Sequence, residues 1–169
     1  MNEAAARQLA ALARVVDSLE RGGIDYSLFG GWAVDFHAGR VTRDHDDIDL
    51  AVWLADLPRI AQLLEADGWQ HAPEPDEDGG TGYERESVRL ELTYRARGAD
   101  GVVSIPLRAG PVPWATGALA PVQAELAGVR ASVIPLEALA RDKARPREDL
   151  DDAAKDRADA EVLAALKLV

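Results

Sequence analysis

The run Asp47-Ile48-Asp49-Leu50-Ala51-Val52-Trp53 constrains this chain more than any other stretch. Residues two apart on a β-strand share a face, so Asp47 and Asp49 project together while Ile48, Leu50 and Val52 face a core. Strand geometry puts the two acids about 6–7 Å apart at Cβ. Two carboxylates fixed side by side on one strand repel each other unless a cation sits between them. A fold built on this strand must therefore supply an apolar layer on one side and a polar, cation-accepting recess on the other.

The rest of the chain supplies candidates for both. Apolar positions Leu9, Leu12, Val15, Val16 and Leu19 have a helical period over residues 3–21, stopped by Gly22-Gly23. The alternation Ile24, Tyr26, Leu28 predicts a strand entering Gly30-Gly31, with a short helix over Trp32–Gly39 behind it. A glycine pair at a helix start offers bare N–H groups and the positive end of a helix dipole to a phosphate; a strand–helix packing point explains the pair equally simply. After a polar linker at Arg40–Asp46 and the acidic strand, the pattern predicts a helix over Asp56–Asp67 and a short strand near Trp69–Ala72. Pro73–Gly82 reads as an acidic, glycine-rich hairpin connection.

Ser87–Arg95 alternates cleanly, with Val88, Leu90 and Leu92 on one face and Arg89, Glu91 and Thr93 on the other. If this strand lies beside Asp47–Trp53 in register, Glu91 joins the two aspartates; alone it reads as a solvent-facing residue on a half-exposed sheet. Val102–Ile105 and Val129–Ile134 are further short strands, whereas Pro106–Pro121 resists assignment. Helices are expected over Pro135–Ala144 and Glu148–Leu168, the latter with a stripe through Leu150, Ala154, Ala158, Val162 and Leu166. We expect one domain over residues 1–169, with a core over about 1–134 and closing helices over about 135–169.

Composition narrows the chemistry. The formal net charge is −11, opposite to the field of a nucleic-acid binder, and suits a cationic small molecule or simply solubility. Cysteine is absent, which removes disulfides and thiolate metal sites and makes a reducing cytoplasm the expected location. No apolar run approaches the eighteen or so residues of a membrane span. Three acids without cysteine form a hard-oxygen site for Mg²⁺ or Mn²⁺. Two such ions, about 3.5–4 Å apart, would clamp an in-line displacement at phosphorus, with the third acid taking the proton of an attacking hydroxyl.

The residues Gly30-Gly31-Trp32, then Gly39, Thr42-Arg43, His45 and Asp47-Ile48-Asp49, resemble the signature of the aminoglycoside and lincosamide nucleotidyltransferases within the polymerase-β-like superfamily. About eight positions agree in identity and spacing across some twenty-five residues. The resemblance implies an α/β (α+β) nucleotidyltransferase fold: a mixed, twisted β-sheet with helices mainly on one face. It implies Asp47, Asp49 and Glu91 as Mg²⁺ ligands and catalytic acids, although the family's third acid is often Asp. Gly30, Gly31, Arg43, His45 and Lys143 become nucleotide contacts, with ATP or another NTP as donor. Arg43 pairing with Asp44 or Asp46, and His45 bonded to backbone, are the structural alternatives. Lys155 and Asp159 of a Lys-Asp-x-x-Asp helix read as a surface ion pair.

The leading expectation is transfer of a nucleoside monophosphate, AMP from ATP, to a hydroxyl of a cationic small molecule resembling an aminoglycoside or lincosamide. A second copy of the chain, in a homodimer, could supply a missing pocket wall. A catalytically inactive binding partner of the same fold, a transferase with a protein or RNA acceptor, and a glycosyltransferase using Asp47-Ile48-Asp49 are the competing expectations.

Overall fold

The computed structural model describes residues 1–147 and 149–167. Among these residues, five α-helices and nine strands follow in the order α1 (Glu3–Arg21), β1 (Tyr26–Phe29), α2 (Gly30–Ala38), β2 (Asp47–Trp53), α3 (Leu57–Ala66), β3 (Gln70–His71), β4 (Gly80–Arg85), β5 (Val88–Arg97), β6 (Val103–Ile105), β7 (Val112–Pro113), β8 (Val122–Leu126), β9 (Val129–Val133), α4 (Leu136–Lys143) and α5 (Leu150–Leu166). The sheet runs β3-β4-β5-β2-β1-β9-β8, with β6 and β7 extending one end of β5. It is mixed: β1 pairs β2 antiparallel, while β2 with β5 and β1 with β9 are parallel.

The alternation in the strands divides the molecule. Ile48, Leu50 and Val52 of β2 and Leu90 and Leu92 of β5 are almost wholly buried, in one core cluster with Leu12, Val15 and Leu19 of α1 and Ile60 and Leu64 of α3. Asp47, Asp49, Glu91 and Thr93 alternate with these residues and take the other side of the strands. Asn2 caps α1 by accepting a hydrogen bond from the Ala5 N–H, which fixes where the helix starts over the sheet.

Three expectations need correction. Gly30 and Gly31 form the first turn of α2 itself; the glycine pair does not precede the helix. Residues Gly80–Gly82 belong to a strand, β4, which the glycine-rich segment concealed. Both glycines are needed for close approach: a Cβ on Gly80 would lie 2.3 Å from the Leu92 carbonyl oxygen, and one on Gly82 would lie 2.2 Å from the Arg89 guanidinium. The apolar stripe predicted for α5 is not its buried face. Leu150 is 84% exposed, and the buried residues are Asp156, Asp159 and Leu163. The predicted ends of that helix, Glu148 and Leu168, lie outside the described residues.

Because the Gly80 contact is with backbone, Gly80→Ala should destabilise the fold by about 1–3 kcal/mol, as overpacking does. Urea denaturation measures this, and an unchanged midpoint would show that β4 does not need its glycine.

Candidate nucleotide and metal site

The parallel register of β2 and β5 sets Asp49 directly beside Glu91 and Asp47 beside Arg89. Asp47, Asp49 and Glu91 therefore leave one sheet face within a few residues of one another. They do not form a ready-made cage: among the described residues, no three His, Asp or Glu side chains converge on one ion position. Glu91 is engaged by its own strand, its Oε1 accepting a 2.5 Å hydrogen bond from Arg89 Nε. Arg89 also donates to the Ala72 carbonyl and to Glu84.

Asp47 and Asp49 face a cavity of about 270 Å³ that is also lined by Gly30, Gly31, Arg43, His45, Lys143 and Arg147, with Asp46, Asp142, Asp152 and Asp156 among the same walls. Burial, then repulsion from Asp47, pushes the Asp49 carboxyl well above the usual carboxylate range. Burial and the neighbouring Asp46 raise Asp47 as well. Burial also raises Glu91, opposed in part by Arg89. The pair is thus an under-compensated anionic surface. Its oxygen donors fit Mg²⁺, which commonly takes one or two protein carboxylates and completes its shell with water and phosphate.

Gly30 is fixed by geometry. Its φ is +66°, and a Cβ there would lie 2.0 Å from Asp49 Oδ2. A Cβ on Gly31 would meet Arg43 Nη2 and His45 Nδ1, each at 2.5 Å. The glycine pair lets an acid, a guanidinium and an imidazole pack against bare backbone at the start of α2.

Arg43 and His45 line the cavity but are engaged elsewhere. Arg43 makes a paired contact to Asp159, at 2.8 Å and 2.9 Å, rather than to the side chain of Asp44 or Asp46. His45 Nε2 lies 2.6 Å from Asp35 Oδ2, with both side chains buried, and its ring lies tilted against Trp32, with centroids 4.8 Å apart at 38°. The other Asp35 oxygen accepts from the Thr42 N–H and hydroxyl, tying the Arg40–Asp46 linker to α2.

Lys143 is buried, with Nζ 2.8 Å from both Asp156 and Asp159. Burial works against its charge, but hydrogen bonds to those two carboxylates outweigh it and raise its pKa. Burial likewise works against the Asp159 anion, and the hydrogen bonds from Arg43 and Lys143 overcome it and lower its pKa. Arg147 donates to Asp156 at 2.7 Å. The expected Lys155–Asp159 pair is not formed: Lys155 bonds Asp46 at 2.6 Å, because Asp159 points inward to Arg43 and Lys143. Asp35, Asp156 and Arg147 were not singled out from the sequence, and Asp159 was read only as a surface partner of Lys155, although the Lys-Asp-x-x-Asp spacing marked the helix that carries two of these acids.

Two further recesses adjoin the acidic face. An acidic one of about 420 Å³ is walled by Glu74, Asp76, Glu77, Asp78, Thr81 and Glu91. An apolar one of about 210 Å³ lies against Phe29 and Trp114. Thr93 borders all three. Among the described residues no helix is long and apolar enough to cross a membrane.

The family model described as aminoglycoside-2''-adenylyltransferase matches residues 11–138. No curated protein sequence matches the chain at a significant level. Among solved structures, the lincosamide antibiotic adenylyltransferase LnuA, bound to lincomycin, is similar at 21% identity with a TM-score of 0.71, covering 92% of this chain and 95% of that one. The antibiotic-resistance factor ANT(2'')-Ia, in solution, is similar at 20% identity and a TM-score of 0.67, covering 96% of this chain and 90% of that one. The complex of ANT(2'')-Ia with adenylyl-2''-tobramycin gives 21% identity and a TM-score of 0.63, over 96% of this chain and 98% of that one. At these identities the likeness establishes the nucleotidyltransferase fold.

The raised pKa of Asp49 has a consequence for stability. In the metal-free protein its folded pKa lies above its unfolded value, so stability falls as pH rises through that interval. Asp49→Asn should therefore raise Tm at pH 7, by about 2–4 °C for each kcal/mol of burial cost and repulsion relieved. The gain should vanish below the ordinary carboxylate range, where Asp49 is protonated in both states. A Tm that falls at pH 7, or a gain that persists at low pH, would contradict this assignment.

Proposed function

The chain belongs to the aminoglycoside-2''-adenylyltransferase family, and from that premise we propose that it transfers AMP from ATP to a hydroxyl of a cationic, aminoglycoside-like small molecule, releasing pyrophosphate. The observation that carries this reading is the parallel register of β2 and β5. It sets three acids on one sheet face, opposite a glycine-opened helix start and a buried lysine.

Asp47 and Asp49 would hold one or two Mg²⁺ ions, with Mn²⁺ as a substitute, and Glu91 would join them on leaving Arg89. Bound Mg²⁺ neutralises phosphate oxygens and stabilises charge on the attacking and leaving oxygens. The chain's own groups do the rest. The N–H groups at Gly30 and Gly31 and the positive end of α2 receive the β- and γ-phosphates. Lys143 and Arg147 add positive charge to the same cavity. Arg43 and His45 act mainly by holding the wall in place through Asp159 and Asp35.

In the transfer, the acceptor hydroxyl oxygen bonds to the α-phosphorus and the bond from that phosphorus to the α,β-bridging oxygen breaks. Pyrophosphate carries away the electron pair, and the hydroxyl proton passes to the Glu91 carboxylate. Burial raises the proton affinity of Glu91, which favours it as the base. The acceptor occupies the acidic recess, where Glu74, Asp76, Glu77 and Asp78 meet a polycation with complementary charge. Glu91 lines that recess, so the base stands between acceptor and metal face.

The test is pyrophosphate release with Mg²⁺, each NTP, and a panel of aminoglycosides and lincosamides. Release should require an acceptor and prefer ATP. Asp47→Asn and Asp49→Asn should each lower kcat by about a thousandfold or more, and Glu91→Gln by about 10²–10⁴-fold. Acceptor-dependent release that survives in Asp47→Asn would rule out the metal face as the reaction centre.

A further inference from the structure

We propose that the apolar recess beside the metal face is the seat of the nucleobase, and that Phe29 and Trp114 are its recognition residues. This rests on the transferase reading and extends it to a surface that neither the metal face nor the acidic recess explains.

The recess measures about 210 Å³, below the range of about 300–1,000 Å³ typical of pockets for drug-sized ligands, and suits one flat ring system. Its walls are Phe29, Trp114, Ile134 and Leu139, with Thr93 and Arg147 at the boundary with the metal cavity. Phe29 immediately precedes the Gly30-Gly31 helix start, so a ligand with phosphates at the glycines and a ring against Phe29 spans adjacent residues. Phe29 and Trp114 meet edge to face, with centroids 5.6 Å apart at 88°. Trp114 Nε1 donates to the Tyr94 carbonyl at 3.2 Å, which anchors the indole. A rigid aromatic corner of this kind accepts a base by stacking, an interaction open to every base because each has a π-face.

Charge separates the two ligands. Arg145, Arg147 and Asp142 stand at the rim of the apolar recess, with Arg147 3.8 Å from Asp142, so two guanidiniums face one acid there and the balance favours a group tethered to phosphate over a polycationic acceptor. The acidic recess has the opposite preference, with four carboxylates from Glu74 to Asp78. Thr93 borders both, so nucleoside and acceptor approach the metal face from different sides. The base thus has its own seat, and the acceptor need not displace it to reach the α-phosphorus.

The experiment uses the full chain with Mg²⁺ and two probes: adenosine α,β-methylenetriphosphate, which cannot transfer its nucleotide, and inorganic tripolyphosphate, which has no base. Tryptophan emission and calorimetry report binding. The nucleotide should change the emission, tripolyphosphate should not, and the change should disappear in Trp114→Phe. Ala115→Leu, which fills the recess, should weaken nucleotide binding by about tenfold or more while leaving tripolyphosphate binding unchanged. Trp114→Ala, which opens the recess instead, should do the same, so the inference does not depend on one variant folding.

Equal nucleotide affinity in wild type and both variants would overturn the seat while leaving the transferase reading intact. An equal loss for both probes would also overturn it, by showing a general effect on the site. Trp114 emission that responds to an aminoglycoside or lincosamide instead of the nucleotide would assign the recess to the acceptor. Wild-type protein that binds neither probe would overturn the transferase reading itself, and the seat with it.

Discussion

The structure depends on one unfavourable interaction: Asp47 and Asp49 held on the same face of a central strand, half-buried and repelling each other. The opposite face of that strand, through Ile48, Leu50 and Val52, is locked into the core. A one-residue slip would bury both acids and expose three apolar side chains, so the core fixes the register that makes the repulsion unavoidable. The glycine at position 30 completes the arrangement, because any side chain there would collide with Asp49. Packing energy from the apolar face thus maintains an acidic face that the nearby Lys143 offsets only in part.

A second set of charges frames that face. α5 turns carboxylates inward, and Asp159, 1% exposed, takes both Arg43 from the linker before β2 and Lys143 from α4. Buried networks of this kind contribute little net stability over an apolar equivalent, but removing one member leaves a charge stranded, at a cost of about 3–5 kcal/mol. The arrangement is specific more than it is strong. It draws three segments, distant in sequence, to one wall of the cavity and holds their cations close to the glycine-opened start of α2. Asp35 does the corresponding work for His45 and Thr42 on the same wall.

Much of the acidic face could be read from the sequence because its signal is local. Strict alternation in Asp47–Trp53 and Ser87–Arg95 specifies which side each acid takes, and the fold class followed from the motif around them. What alternation cannot specify is pairing. That β2 lies parallel and in register with β5, with Asp49 opposite Glu91, depends on the whole sheet. The engagement of Glu91 by Arg89 was likewise hidden, since it depends on side-chain direction within the strand. β4 was missed because its glycines look like loop residues until the neighbouring backbone is present. The α5 stripe misled for a related reason: apolar residues were expected inside, whereas the buried face is chosen by the cations it neutralises. The Pro106–Pro121 stretch has no period at all, and Trp114 acquires meaning only through Phe29, eighty-five positions earlier in the numbering.

The central claim is that Asp47 and Asp49 bind a divalent ion together with nucleotide. Titrating Mn²⁺ in the presence of adenosine α,β-methylenetriphosphate, with bound and free ion distinguished by electron paramagnetic resonance, tests it most directly. The account predicts nucleotide-dependent Mn²⁺ binding in the wild type that is lost in the Asp47→Asn, Asp49→Asn double variant while that variant remains folded. Undiminished Mn²⁺–nucleotide binding in the folded double variant would contradict it.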